Sequence, residues 1–432
     1  MLLDQKIIKT GYFWLALNPE QKIFGRLEID KTANITLYLS DIFDETDKFS
    51  LNNSKTFRIN GYCDNYKELT LENCWVSHYS SNLNENKIRV GYAILGYAFL
   101  YDQAISINQL TFQLKDGRTW YPDRHHIHEK IKDTRHFIIP KPISNTITIP
   151  NGFELIIVKG STWREHNDKS LIEDNIVFEI NSNKLLTYKD FYSTLYNIKT
   201  LIDLFLGKPS QIIKMTAKNK NICIKHEHFG FFTTEENPIL EIYHSTVLSC
   251  GNTSFSENKM LFKFSDIKDD LETIIQNWFS LIENAPSLIR SNFSIDYNGY
   301  KFIEDKLVET IHALEAYHRY KYEPNYTNKE KGKISLQDRL EEVIHELKLT
   351  TNILNSYEAI IPECKNIRNS IAHANIDLLI NKNINGNQYY YLFRKMQTIL
   401  KMCLLFELGF TLDEIKNKNF ELGLNFETKG WG

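Results

Sequence analysis

Hydrophobic and polar positions change their period once along the chain. Up to about residue 264, apolar residues alternate with polar ones in short runs bounded by turn residues, as half-buried strands do. In NITLYL, Ile35, Leu37 and Leu39 face one way. KIFGRLEI, KIRVGYAIL, FELIIV, NIVFEI, QIIKMTA and NICIKHEHF read as further strands. LTFQLKDGRTWY sets Asp116-Gly117 between two such runs, and the tolerance of glycine for positive φ predicts a hairpin turn there. One segment breaks the alternation. Phe191, Leu195, Ile198, Ile202 and Phe205 share a helical face after Thr187 and before Gly207 and Pro209, which predicts a helix against a sheet. The proline-containing loop IIPKPISNTITIPNGF divides this half into two β modules near residue 145.

From Ser265 onward the period is helical. Leu271, Ile274, Ile275, Trp278, Leu281 and Ile282 line a first helix that should end near Ala285-Pro286. A second, from about Tyr300 to Tyr322, turns Ile303, Leu307, Ile311 and Leu314 inward, and a third starts near Ser335 with Leu336, Leu340, Val343, Ile344 and Leu347. A fourth contains KNIRNSIAHAN, and a fifth runs near Gln388 to Leu408 until Gly409. Thr411 and Glu414 form a capping box for a short terminal helix. The expected fold class is therefore α+β and multidomain. A β-rich region of sandwich-like sheets with one helix covers residues 1–264, and an all-α bundle covers 265–432.

Composition narrows the function classes. Hydrophobic residues make up 42% of the chain, with 26 Phe and 23 Tyr, enough apolar area for folded cores rather than disorder. A formal charge of −3 excludes a global positive field for nucleic acid, so any RNA contact must be local. The amino terminus lacks the pattern of a signal peptide, no apolar run reaches the roughly 18 residues of a membrane span, and the six cysteines are scattered. A cytoplasmic protein without membrane contact is expected.

The chemistry gathers in KNIRNSIAHAN, residues 365–375. At about 100° per residue, Arg368 and His373 lie some 140° apart around an ideal helix, whereas Asn369 and His373, four apart, share a face. The long arginine stem can bend back toward them, and the small Ser370, Ala372 and Ala374 leave room for a partner to approach. These groups suit a phosphodiester. Guanidinium is permanently charged and donates paired hydrogen bonds to phosphate oxygens; imidazole exchanges protons near neutral pH. RNA supplies its own nucleophile, the 2′-hydroxyl, so this set needs neither metal nor cofactor. His373 would move protons, Arg368 would stabilise phosphorane charge, and Asn369 would orient one of them. Spacing alone is weak evidence, because Arg and His five apart are common on surfaces.

RNSIAH, an Arg-x4-His element opening with Arg-Asn on a late helix of a bundle, resembles the signature of HEPN ribonucleases. With HALEAYHR and LQDRLEEVI on preceding helices, the carboxy-terminal half is similar to the HEPN domain of the ApeA family of anti-phage proteins. The aromatic β-patterned half, with GYFWLALNPEQKIFGRLEI near its start, is similar to that family's amino-terminal domain. The resemblance implies a metal-independent endoribonuclease in which two protomers pair their Arg-x4-His helices as a homodimer. It also implies abortive infection through cleavage of host RNA, with transfer RNA the expected class, once a phage-derived trigger of unknown identity is sensed. Arg368, Asn369 and His373 match the motif directly.

Other candidates carry competing readings. His312, Glu315 and Arg319 line one face of HALEAYHR, where Glu315 either supports Arg368 or His373 or simply pairs with Arg319. Arg339 either contacts RNA phosphate or pairs with Glu341 or Glu342. His125, His126 and His128, and Cys223, His226 and His228, invite a metal reading, yet neither cluster has a second ligand pair, and no metal site is expected. The basic runs KNKN and TNKEKGK read as solvated loops. The rival to a nuclease with a sensing or restraining β half is a non-catalytic HEPN-type module that binds nucleotide or protein, with a β-rich ligand-binding domain. A structural dimer without chemistry is a third possibility.

Overall fold

The computed structural model describes residues 3, 5–41, 43, 56–63, 67–78, 86–123, 127–131, 134–138, 140–166, 169–228, 232–245, 260–297, 301–347, 357–372 and 386–418. The chain divides into two compact units, Met1–Tyr196 with Ser210–Leu248, and Asn197–Pro209 with Ser249–Gly432.

The first unit opens with strands β1 (Ile7–Leu15), β2 (Asn18–Ile29), β3 (Ile35–Leu39), β4 (Phe57–Cys63), β5 (Lys67–His78) and β6 (Asn86–Val90). Their antiparallel order is β5-β4-β1-β2-β3-β6, and β6 pairs again with β5, so six strands close into a barrel. Strict alternation gives the barrel its apolar interior. On β2, Ile23, Leu27 and Ile29 point inward, while Lys22, Phe24 and Arg26 point out. Phe13 fills the interior beside Gly25 and Gly61, where an added Cβ would come within 3.1 and 2.6 Å of its ring. The glycines are the room that Phe13 requires.

The sheet continues through β7 (Tyr92–Leu95), β8 (Ser106–Leu114), β11 (Ile143–Ile149), β12 (Phe153–His166), β13 (Lys169–Thr187), β14 (Ile212–Lys218) and β17 (Leu240–His244). Separate two-stranded ribbons are formed by β9 (Ile127–Ile131) with β10 (Thr134–Ile138), and by β15 (Ile224–His228) with β16 (Phe232–Glu236). Phe112 and Phe178 lie opposite each other on β8 and β13 and stack at 5.0 Å. Helix α1 (Tyr188–Leu206) starts at a reciprocal cap between Thr187 and Asp190 and ends at Gly207, whose φ is +69°. Phe191 meets Phe153 edge to face, the expected helix-on-sheet contact. The Asp116-Gly117 hairpin does not form. Residues Gly117–Trp120 make one helical turn that buries Trp120, stabilised by Thr119 and Trp120 amides donating to the Asp116 carbonyl and by Ser210 donating to its carboxylate.

In the second unit, residues 197–209 join the bundle: the indole of Trp278 donates to the Asn197 carbonyl, and Phe205, Phe262 and Phe410 cluster. The main helices are α2 (Leu271–Asn284), α3 (Pro286–Tyr297), α4 (Ile303–Lys321), α5 (Leu336–Glu346), α6 (Ile361–Ala372), α7 (Gly386–Glu407) and α8 (Leu412–Asn417). Capping boxes at Ser335/Asp338 and Thr411/Glu414 start α5 and α8. Helix α3 was not expected, because Pro286 reads as a stop for α2; here it is also the first residue of the next helix, where its missing N–H costs nothing. The β-rich half followed by a helical half matches the expected class, with part of the sheet closed on itself.

Candidate active site

Helix α6 places its chemistry by a three-residue stripe. Ile361, Cys364 and Ile367 are fully buried and Ser370 nearly so, which sets this face against the bundle. Ser370 donates to the Asn366 carbonyl of its own helix, so its small size serves packing inside the bundle rather than the approach of a partner. Burial pushes the Cys364 thiol up to about 12, which makes it a packing residue and not a nucleophile. Arg368 and Asn369 follow the stripe and stand half-buried at its edge. His373, the residue after α6, lies outside the described residues, as do Ala374 and Asn375.

Helix α4 brings the counter-charge. Glu315, 14% exposed, accepts from Arg319 at 2.7 Å through one oxygen and from Arg368 Nη2 at 3.4 Å through the other. Glu315 therefore pairs both along its own helix and across to α6. Arg368 Nη1 donates to the Asn369 side chain at 3.2 Å, and its buried Nε–H has no partner among the described residues. His312, one turn back on α4, is held below its ordinary value of 6.5, first by burial and then by the positive charge of Arg368, with Glu315 and Glu309 opposing. Beside these residues opens a cleft of about 420 Å³, lined by His312, Glu315, Arg319 and Tyr320 from α4 and by the Asn284 to Ser287 turn.

Arg339 departs from expectation. Its guanidinium is 7% exposed, paired with Glu323 and donating to His318 Nδ1 at 3.3 Å, so it is built into the bundle and not presented to phosphate. Glu342, one of its expected partners, instead receives His318 Nε2 at 2.8 Å and the Tyr326 hydroxyl. A guanidinium only donates, so Nδ1 of the fully buried His318 accepts from Arg339 and its Nε2–H donates to Glu342. Burial works to raise Glu342, yet the hydrogen bonds from Tyr326 and His318 bring it below its ordinary value. This tie between α4 and α5 escaped the sequence; its one signal was that His318 lies four residues after the core position Leu314.

The histidine clusters add little. His125 and His126 lie outside the described residues, and so do the side chains of His128, His226 and His228; Cys223 is exposed. Among the described residues no group of three His, Cys, Asp or Glu side chains is arranged to hold a metal, and no helix is long and apolar enough to cross a membrane.

A family model for ApeA N-terminal domain 1 matches residues 8–278, more than half of the chain. The chain belongs to the ApeA family. A second model, Apea-like HEPN, matches residues 308–414. That span holds every residue of the ApeA candidate site: His312, Glu315, Arg319, Arg368, Asn369 and His373. Comparison with curated proteins and with solved structures found no match. Membership in the ApeA family, with its HEPN domain, supports a HEPN-type anti-phage effector, and HEPN domains are generally associated with ribonuclease activity.

Proposed function

We propose that this ApeA-family protein is an endoribonuclease of abortive infection, cutting host RNA, transfer RNA being the expected class, by attack of the 2′-hydroxyl on the adjacent phosphodiester. The observation that carries the reading is Arg368: a half-buried guanidinium held by Glu315 and Asn369, on the helix that leads into His373. In this account His373 takes the 2′-hydroxyl proton and returns one to the leaving 5′-oxygen. Arg368 meets the charge that grows on the non-bridging oxygens, and its fork offers two donors in one plane. Asn369 and Glu315 fix where that fork points, so little reorganisation is left for the transition state. The chemistry asks for no metal or other cofactor.

Two protomers pair their α6 ends in this proposal, which places two such sets around one cleft. The β-rich unit senses a phage-derived trigger or restrains the nuclease until one arrives, because unrestrained cleavage would harm the host and the active state must be rare beforehand. The rival, a HEPN-type binding module without catalysis, would use the same cleft and leave RNA intact.

The test is incubation of purified protein with transfer RNA in EDTA, beside Arg368→Ala and His373→Ala. Cutting by the wild type and its loss in both variants is the expected result. Intact RNA under activating conditions favours the binding module, and cutting only when metal is restored contradicts the mechanism.

A further inference from the structure

The outer face of the barrel carries a second array that the nuclease reading does not use. Across β4, β1 and β2 the register sets Tyr62, Tyr12 and Phe24 side by side, with ring centroids 5.6 Å apart at each step. Two residues further along β2, the register runs Arg26, Tyr38, Lys87 across β2, β3 and β6, and the arginine and lysine lie 5.0 and 5.9 Å from the tyrosine ring. Lys22 sits 5.3 Å from Trp14 and 5.6 Å from Tyr62, and Arg89 pairs in register with Trp75. The rings are open: Tyr12, Phe24 and Trp75 are 43, 50 and 46% exposed.

A contiguous patch of open rings, unlike a single exposed side chain, marks a surface that meets a partner. The partner's chemistry follows from what lies between them. Flat rings offer stacking faces, and cations seated at their edges offer phosphate contacts, alternating over adjacent strands. A protein interface of this kind would be short of lysine at its centre, yet Lys22 and Lys87 stand among the rings. Of the carboxylates nearby, Glu28 is already bridged by Lys6 at 2.9 Å and Arg26 at 3.3 Å, Glu68 stands in register beside Tyr62 and accepts from the Ala98 amide at 3.3 Å, and Glu20 stands at the margin. Against these, Lys6, Lys22, Arg26, Lys87 and Arg89 leave a local excess of positive side chains in a chain of net charge −3.

We propose that this barrel face binds single-stranded nucleic acid, with bases stacked on Tyr12, Phe24 and their neighbours and phosphates met by Lys22, Arg26, Lys87 and Arg89. The site is separate from the nuclease residues and independent of whether they cut RNA.

Fluorescence anisotropy of the full chain with a labelled oligothymidylate of about 15 nucleotides, a length that spans one such fold, tests it. DNA lacks the 2′-hydroxyl, so the proposed cleavage cannot consume the ligand. Wild type and Arg368→Ala should bind equally, and Tyr12→Ala and Phe24→Ala should each weaken binding about fivefold to a hundredfold. The double change Lys22→Gln with Lys87→Gln should make the dependence of log affinity on log salt shallower by about 1.4. The salt slope keeps the test valid if a ring variant fails to fold. Absence of binding at low salt, which leaves the face to a protein ligand, overturns the proposal. So does binding that survives the ring and lysine changes, or binding lost in Arg368→Ala.

Discussion

Replacing Glu315 by Gln separates a cross-helix tether from a surface ion pair. Glu315 is 14% exposed and lies 3.4 Å from Arg368, itself 27% exposed, and 2.7 Å from Arg319, which is 57% exposed. At 3.4 Å the Coulomb attraction to Arg368 is about 5 kcal/mol for an effective dielectric near 20, before desolvation and side-chain ordering are subtracted. What survives for a charge-assisted hydrogen bond at a partly exposed site is about 1–2 kcal/mol. The more exposed Arg319 pair, four residues apart on one helix, is worth about 0.3–0.5 kcal/mol. Denaturant unfolding of Glu315→Gln, Arg368→Gln, Arg319→Gln and the two double variants yields both coupling energies. The expected order is Glu315–Arg368 above Glu315–Arg319 by at least about twofold. In the cleavage assay, Glu315→Gln should lower kcat more than it raises KM, because a misdirected guanidinium loses transition-state contact first. A coupling confined to Arg319, with unchanged kcat, refutes the tether and returns Glu315 to an ordinary helix-surface pair.

Three further outcomes are expected. Lys199 and Asp203 form a buried pair at 2.5 Å that both share with the Tyr297 hydroxyl, so Lys199→Ala should cost about 3–5 kcal/mol in urea unfolding by leaving the buried carboxylate without its cation; a loss under about 1 kcal/mol would contradict that reading. Phe13→Ala empties the barrel between Gly25 and Gly61 and should cost about 3–5 kcal/mol, seen as a lower Tm of the β-rich unit. His244, stacked between Tyr92 and Tyr192, is pushed down by burial from 6.5 to about 4. The unfolded chain therefore takes up this proton first, and the stability of the β-rich unit should fall as pH drops from about 6.5 towards 4. His244→Phe should flatten that part of the stability profile, and an unchanged profile would show that another group controls it.

Much of this molecule is legible in its sequence because one face of each element is buried. Alternation marked β2, β3, β12 and β13, and helical spacing marked α2, α4, α5 and α7. Caps were readable too, since Thr187, Ser335 and Thr411 act within their own helices. What depends on register or on neighbours was not. Barrel closure rests on β6 pairing back with β5, which alternation alone does not specify. Gly117 could have served a hairpin, but burial of Trp120 decides for a helical turn. At the candidate site, Arg368 was singled out by its chemistry together with the family resemblance, and Glu315 and Arg319 by helical spacing; the structure sets the three side by side. The use of Ser370 and the partner of Arg339 were not legible, because each is set by which helix lies against it.

The central claim is that the RNA supplies the nucleophile, and the most direct measurement is the chemistry of the cut ends. The product 5′ of each break should carry a 2′,3′-cyclic phosphate or its opened form, and a 2′-deoxy nucleotide placed at the cleaved position should abolish cutting there. A 3′-hydroxyl beside a 5′-phosphate, or unimpaired cleavage at the deoxy position, would contradict the account.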